Sequence, residues 1–115
     1  MTALLRDNIV LIPRVHVAER FRERLMGLIG RSPPGPGYAL LLRPCASIHT
    51  CFMRFALDAI FLNADSVVVR VVRNIRPWRI TWGGARAACV VETEAGWLPE
   101  SAIQPGDRLT FSSLR

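Results

Sequence analysis

The chain has 115 residues, of which half are hydrophobic and 21% are charged. This length and composition predict a single globular domain over residues 1–115 and exclude a disordered chain. The longest apolar runs have five or six residues, far below the roughly 20 that a membrane-spanning helix needs. Residues 1–17 carry charged residues and a proline in place of the apolar stretch of a signal peptide. We therefore expect a cytoplasmic protein with no membrane span.

The charge of the chain is strongly basic. The formal net charge is +6, and all fifteen cationic residues are arginine. A basic surface attracts polyanions such as nucleic acids and acidic membranes, although a genome that encodes arginine in place of lysine yields the same composition. The aromatic residues do not interleave with the arginines as they do in proteins that bind single-stranded nucleic acids, and no nucleic-acid-binding motif is present. We therefore do not expect nucleic acid as a partner.

One helix is predicted, over about residues 18–30. Four apolar residues share one helical face through their i, i+4, i+7 and i+8 spacing: Phe21, Leu25, Leu28 and Ile29. Gly30 suits the position that follows the last turn of a helix. Residues 31–37 then contain three prolines and two glycines, and they predict a loop because proline cannot continue a helix or a central strand.

The rest of the chain is predicted to form short β-strands separated by turns. Segments of strand-forming residues occur at 8–12, 14–17, 38–42, 47–53, 57–62, 67–72, 87–93 and 108–111. The turn residues at 63–66 join two of these segments into a hairpin. Some eight short strands with one helix predict a mainly β fold, namely a small antiparallel β-barrel or sandwich on which the helix packs.

The segment 45–53 holds two cysteines and a histidine. In an extended strand, alternate side chains point to the same face, so Cys45, His49 and Cys51 are predicted to share one, with Cys89 as a further candidate. Thiolate and imidazole groups bind soft metals, and an imidazole also activates a thiol as a nucleophile. Besides a metal site and an activated nucleophile, a third interpretation is that the cysteines are small core residues and His49 is a structural histidine. We expect no metal or other cofactor.

Two acidic residues, Asp58 and Glu92, lie within apolar strand segments. A buried carboxylate needs partners, because an unpaired buried charge is very costly. For Asp58 the alternatives are a polar site shared with His49, a structural ion pair with arginine, or a carboxylate that caps backbone N–H groups. Three arginines are the candidate partners of this carboxylate: Arg24, Arg31 and Arg54.

Four segments occur in an order that resembles the DUF192 family of small bacterial and archaeal proteins: RLMGLIGR at 24–31, SIHTCFMRFALDAIFL at 47–62, VVETEAG at 90–96 and PGDRL at 105–109. The resemblance extends over about residues 10–112. It implies a mainly β, barrel-like fold with one packed helix, and it implies no established activity, substrate or cofactor. The polar positions of the family fall on six residues, which form the predicted site: Arg24, Arg31, His49, Asp58, Glu92 and Asp107.

Three functional hypotheses remain open from the sequence. The preferred one is a non-enzymatic binding or accessory domain, whose polar site holds a small polar ligand or a segment of a protein partner; it rests on the ionisable residues embedded in apolar strands. The second is a small hydrolase-like enzyme in which His49 acts with Asp58 or with a cysteine. The third is a basic surface that binds nucleic acid.

Overall fold

The computed structural model describes residues 2–20 and 28–113. These residues form nine strands and one short 3₁₀ helix, Glu100–Ala102. The strands are β1 (Thr2–Arg6), β2 (Ile9–Ala18), β3 (Tyr38–Leu42), β4 (Ser47–His49), β5 (Leu57–Leu62), β6 (Val68–Ile75), β7 (Ile80–Trp82), β8 (Cys89–Glu94) and β9 (Thr110–Ser113). No helix in the described part of the chain is long and apolar enough to cross a membrane.

Seven of the strands form one sheet in the order β6-β5-β8-β3-β2-β1-β9, and β4 pairs with β7 in a separate ribbon. Neighbouring strands of the sheet are antiparallel, apart from the parallel pair β2 and β3. A parallel pair requires a long crossover connection, which residues 19–37 supply. The predicted mainly β class is therefore confirmed, and so is the β5–β6 hairpin, whereas the antiparallel arrangement is wrong for one pair.

The sheet formed by the described residues is not a closed barrel, which was one of the two arrangements, barrel or sandwich, that the sequence predicted. Its edge strands, β6 and β9, share no ladder. A single bridge joins Val67 to Arg108, directly ahead of these two strands. Beside it, the N–H of Val68 donates to the carbonyl oxygen of Asp107 at 2.8 Å. The sheet therefore rolls until its edges meet at one point, and it remains open elsewhere.

The predicted helix at residues 18–30 is not supported by the structure. Ala18 is the last residue of β2, where it pairs with Leu42 of β3. Residues 28–30 form a turn. Residues 21–27, which carry half of the predicted apolar face, lie outside the described residues. The first residue of the predicted helix belongs instead to the parallel ladder that residues 14–18 form with β3. Such a long-range pairing is not visible in the periodicity of the sequence.

Strand β2 passes through Pro13 without a break, although a proline in a strand predicts an interruption. The β1–β2 register shifts between the pairs Leu4–Ile12 and Thr2–Val15. Pro13 lies in this irregular stretch, where the ladder does not require its missing N–H. The strands β1 and β7 were not expected from the sequence. Both are short; β1 pairs with the adjacent β2 across the turn at residues 7–8, and β7 pairs with the distant β4.

The central strands β3, β5 and β8 are buried on both faces, so all six residues of β5 are buried. The first core is the set Leu4, Ile12, Val15, Ala39, Leu41, Ile60, Leu62, Val68, Cys89, Val91, Leu98, Ile103 and Leu109. The second core is the set Ala18, Leu28, Leu40, Leu42, Ile48, Met53, Leu57, Ala59, Phe61, Ile75 and Val90. Burial on two faces explains why these strands read as continuous apolar runs rather than as alternating ones.

Candidate functional site

The five predicted site residues that the structure describes do not converge on one site. Asp58 of β5 and Glu92 of β8 lie on opposite faces of the sheet, because side chains alternate along a strand. Asp58 shares its face with Ile60 of the first core, and Glu92 shares its face with Val90 of the second core. A single polar pocket that contains both carboxyl groups is therefore excluded.

Asp58 forms a structural ion pair with Arg73. Its Oδ2 lies 3.2 Å from Nη1 of Arg73, and its Oδ1 accepts the N–H of Asn74 at 2.8 Å. The β5–β6 register explains this contact: Leu57 pairs with Ile75 but Ala59 pairs with Val72, which leaves a bulge of two residues opposite Asp58. The sequence predicted other arginines for this role: Arg31 and Arg54 are not the partners that the described structure gives Asp58, and Arg24 lies outside the described residues.

The Arg73 guanidinium also binds the segment that follows β8, and we call the Asp58–Arg73 pair with these bonds the clamp. Its Nη1 donates to the carbonyl oxygen of Leu98 at 2.8 Å, and its Nη2 donates to that of Pro99 at 3.1 Å. A cleft of about 420 Å³ opens beside the pair. The Asp58–Arg73 pair thus connects β5, β6 and the segment after β8. Because both oxygens of Asp58 already accept hydrogen bonds within the protein, this carboxylate has little hydrogen-bonding capacity left for a ligand.

Glu92 is enclosed by apolar side chains. It is 4% exposed, and its cross-strand neighbours are Leu40 and Ala59. Burial raises the pKa of its carboxyl group from 4.5 to about 7. No ion pair or side-chain hydrogen bond joins this carboxyl group to another residue in the described part of the chain. Removal from water thus shifts the carboxyl group toward its neutral form.

The predicted alignment of Cys45, His49 and Cys51 fails because β4 has only three residues. A turn follows, in which Phe52 has a φ of 65°, so strand alternation stops. The exposed His49 accepts the N–H of Cys51 at its Nδ1, at 3.3 Å. The Cys45 thiol donates to the carbonyl oxygen of Ser47 at 3.0 Å. No three metal-ligating side chains come together among the described residues.

The hydrolase hypothesis requires His49 to contact Asp58 or a reactive thiol. The Asp58 oxygens are engaged by Arg73 and Asn74 instead. Cys89 is buried, and burial raises the pKa of its thiol, which outweighs the opposing effect of nearby Arg43. Because the thiolate is the reactive form, the buried thiol is a poor nucleophile and a poor metal ligand.

Asp107 lies in the turn ahead of β9, at a different place from the other carboxylates. Its Oδ2 accepts the N–H of Gln104 at 2.9 Å and lies 3.2 Å from Nη1 of Arg6. The Arg6 guanidinium also donates to the carbonyl oxygen of Ala102. These bonds give Asp107 a role in closing the turn. Arg24, the sixth predicted residue, lies outside the described residues.

Sequence reasoning missed a basic cavity on the β2–β3 pair. The cavity has a volume of about 500 Å³, and Arg31 is the one described residue of the predicted site that lines it. The others are Thr2, Arg14, Val15, His16, Val17 and Tyr38. The parallel register places Arg14 opposite Tyr38, with the guanidinium carbon 6.0 Å from the ring centroid. The alternation of Arg14 and His16 along β2 was a usable signal, but only once the strand's partner was known.

Glu92 lies on the same face of the sheet as His16, one of the residues that line this cavity. His16 pairs with Leu40, and Leu40 pairs with Glu92. Three paired residues on adjacent strands point to one face, so Glu92 is separated from His16 by two strand spacings, or roughly 10 Å. The described structure therefore places a buried acid two strands away from a cluster of basic groups.

Known proteins resemble this chain in both sequence and fold. Residues 4–111 match the model of the DUF192 family, described as Uncharacterized ACR. The chain belongs to the DUF192 family. A UPF0127 protein of Pyrococcus horikoshii is 39% identical to this DUF192 protein over 105 residues, which cover 84% of this chain and 86% of the relative. A UPF0127 protein of Pyrococcus furiosus is 34% identical over 106 residues, with 87% and 88% covered.

A crystal structure of a protein of unknown function from Novosphingobium aromaticivorans has the same fold as this DUF192 protein. The TM-score is 0.82 at 21% identity, and the match covers 95% of this chain and 82% of the other. This similarity concerns the fold alone. Since none of these relatives carries a named activity, the function of this DUF192 protein has to be argued from its own residues.

Proposed function

We propose that this DUF192 protein is a non-enzymatic binding domain that holds a small anionic ligand, of the carboxylate or phosphate class, in the cavity between Arg14 and Arg31. The observation that carries the proposal is the lining of that cavity. Two arginines and a histidine line it, and no acidic residue is among its described lining residues. Its volume of about 500 Å³ lies in the range of small-molecule sites, about 300–1,000 Å³.

The arrangement of Arg14 suits the capture of an anion. Its Nη2 donates to the carbonyl oxygen of Pro36 at 3.4 Å, and its guanidinium lies over Tyr38. Both contacts restrict the side chain while leaving other N–H groups available. A planar guanidinium binds the two oxygens of a carboxylate or phosphate in parallel. Part of the entropy that a flexible arginine loses on binding is thus already lost in the free protein.

Binding is favoured over catalysis because Asp58, one of the partners named for His49, is held by an arginine instead. His49 bonds to the backbone N–H of Cys51, and Asp58 is held by Arg73. Neither residue lines the basic cavity. A binding domain needs only the electrostatic complement of its ligand, and the cavity supplies that.

The test is a thermal-shift titration with inorganic phosphate and, separately, with malonate. A ligand at one hundred times its dissociation constant stabilises the folded state by about 2.7 kcal/mol, which raises Tm by roughly 10 °C in a domain of this size. Arg31→Ala should abolish the shift, since this exposed side chain lines the cavity. Arg86→Ala, which removes an exposed arginine from another loop, is the matched control and should retain it. Equal shifts in the two variants would refute the site.

A further inference from the structure

The β4–β7 ribbon has one apolar face against the sheet and another toward solvent. Ile48 of β4 belongs to the second core. On β7, Ile80 and Trp82 point away from that core, because they alternate with the residue that pairs with Ile48. Phe52 and Trp78 follow at one end of the ribbon, with ring centroids 4.7 Å apart. We call these four exposed residues the ribbon surface: Phe52, Trp78, Ile80 and Trp82.

The ribbon surface carries most of the large exposed hydrophobic side chains of the described residues. Ile80 is 82% exposed and Phe52 is 66% exposed, and both tryptophans are more than half exposed. Single exposed apolar residues are ordinary, but a group of them at one place marks an interaction site. The ribbon surface is therefore a candidate contact with another molecule.

A buried hydrogen-bond centre holds the ribbon surface in place. Thr50 is fully buried, and its carbonyl oxygen accepts the N–H of Trp78 at 3.0 Å. Its hydroxyl accepts the N–H of Arg79 at 2.8 Å and donates to the carbonyl oxygen of Arg76 at 2.6 Å. These bonds keep Trp78 at a φ of 67°, a left-handed conformation that is strained for a residue with a side chain. The fold thus maintains the outward aromatic ring against local strain.

The ribbon surface is flanked by positive charge. Arg70 donates from Nη1 to the carbonyl oxygen of Trp82 at 3.0 Å, and Arg79 donates from Nη1 to that of Trp78 at 3.4 Å. Residues 66–88 contain no acidic residue. Four exposed arginines adjoin the surface in space or in the chain: Arg54, Arg70, Arg76 and Arg79. The occupant of this surface must therefore be both apolar and anionic.

A second copy of the chain does not satisfy this requirement. A two-fold symmetric contact places the same surface on both subunits, so the flanking arginines of each copy would face those of the other. Single-stranded nucleic acid satisfies the charge but not the shape. Bases stack on free aromatic faces, whereas Phe52 and Trp78 are tilted against each other by 60°. Ile80, the most exposed of the four, offers no ring at all.

We propose that the ribbon surface docks this DUF192 protein on an anionic phospholipid membrane. Tryptophan side chains favour the interface between headgroups and acyl chains, and Ile80 and Phe52 supply apolar area that enters the acyl boundary. The adjoining arginines are attracted to anionic headgroups. The docking is peripheral and reversible, and it is independent of the ligand proposed for the basic cavity.

The test is vesicle sedimentation of the whole protein at low and high salt. One vesicle is phosphatidylcholine alone, and the other contains about one third phosphatidylglycerol, so that only the second attracts the arginines. The variant Ile80→Thr/Trp82→Thr removes apolar area while keeping residues that suit a strand. The matched control is Ile9→Thr/Val10→Thr, which alters the exposed apolar pair at the β1–β2 turn. Trp fluorescence quenching by brominated acyl chains reports insertion.

We expect binding to the anionic vesicles alone, weakened at high salt, with quenching of the ribbon tryptophans. The Ile80/Trp82 variant should lose affinity by tenfold or more, on the order of the burial of two large side chains. The Ile9/Val10 control should change it less than twofold, about the effect of surface substitutions outside a binding site. Equal loss of affinity in both variants would overturn the proposal, and so would binding to neither kind of vesicle. It would also be overturned if the protein bound no vesicles but instead bound single-stranded DNA, or formed a dimer, in a manner sensitive to Ile80→Thr.

Discussion

Replacement of Glu92 by glutamine should remove a pH-dependent loss of stability. Glu92 is 4% exposed and lies between Leu40 and Ala59 in the sheet. Burial raises its pKa to about 7, because the apolar surroundings disfavour the charged form. Glutamine has the same size as glutamate and never ionises, so Glu92→Gln isolates the contribution of the charge.

The direction of the effect follows from proton binding. The unfolded chain releases this proton near pH 4.5, whereas the folded protein keeps it until about pH 7. Between these values the folded state binds more protons, so rising pH favours unfolding. The stability due to neutral Glu92 is complete below about pH 4.5 and lost as the pH rises to about 7. This rise in pKa corresponds to about 3 kcal/mol, at about 1.4 kcal/mol for each pH unit.

The measurement is the free energy of unfolding in urea, for both proteins, from about pH 4 to about pH 8. The two should have similar stability at the acidic end, and the variant should be more stable by about 3 kcal/mol at the alkaline end. Subtracting the two profiles cancels the other titrating groups. Glu100→Gln, in an exposed position, serves as the control and should follow the wild-type profile. A constant difference between wild type and Glu92→Gln across the range would refute the reasoning.

Two further substitutions test the packing that the structure describes. Asp58→Ala should destabilise the fold by about 3 kcal/mol, as expected when one partner of a buried ion pair is removed, since Arg73 is 23% exposed and keeps its carbonyl acceptors. A double-mutant cycle with Arg73→Met measures the coupling, and a value near zero would contradict the clamp. Gly83→Ala should destabilise it by roughly 1–3 kcal/mol, because the new Cβ would lie 2.2 Å from Cδ1 of Phe61. Urea unfolding measures this loss of stability, and adding Phe61→Leu to the variant should recover part of it. An unchanged unfolding midpoint in Gly83→Ala would show that the Phe61 ring moves aside without cost, contrary to this prediction.

The candidate site shows where sequence reasoning stops. The sequence correctly singled out Asp58 and Glu92 as carboxylates within apolar strands, and both are buried. It did not place them on opposite faces, because that depends on which strands lie beside each one. The true partner, Arg73, was within reach of the predicted β5–β6 hairpin, but its alignment depends on a bulge. A bulge shifts the register by one residue and changes every pair beyond it.

The basic cavity and the ribbon surface depend still more on tertiary structure. Arg14 and Tyr38 are far apart in the chain, and the parallel β2–β3 pair brings them together. Phe52 and Trp78 meet only because the turn after β4 packs beside the residues ahead of β7. The sequence suggested that aromatic residues and arginines are not interleaved, yet the ribbon places Trp82 beside Arg70. Such neighbours are fixed by long-range pairing, which local patterns do not encode.

The amino-acid sequence by itself determined the mainly β class, the β5–β6 hairpin, the buried positions of the central strands and membership of the DUF192 family. These follow from local preferences, from turn chemistry and from the order of short motifs. The tertiary structure alone decided the parallel β2–β3 pair, the open sheet and the partner of Asp58. The physical reason is that strand order and register are set by contacts between segments distant in the chain, where one residue of shift exchanges the two faces of a strand.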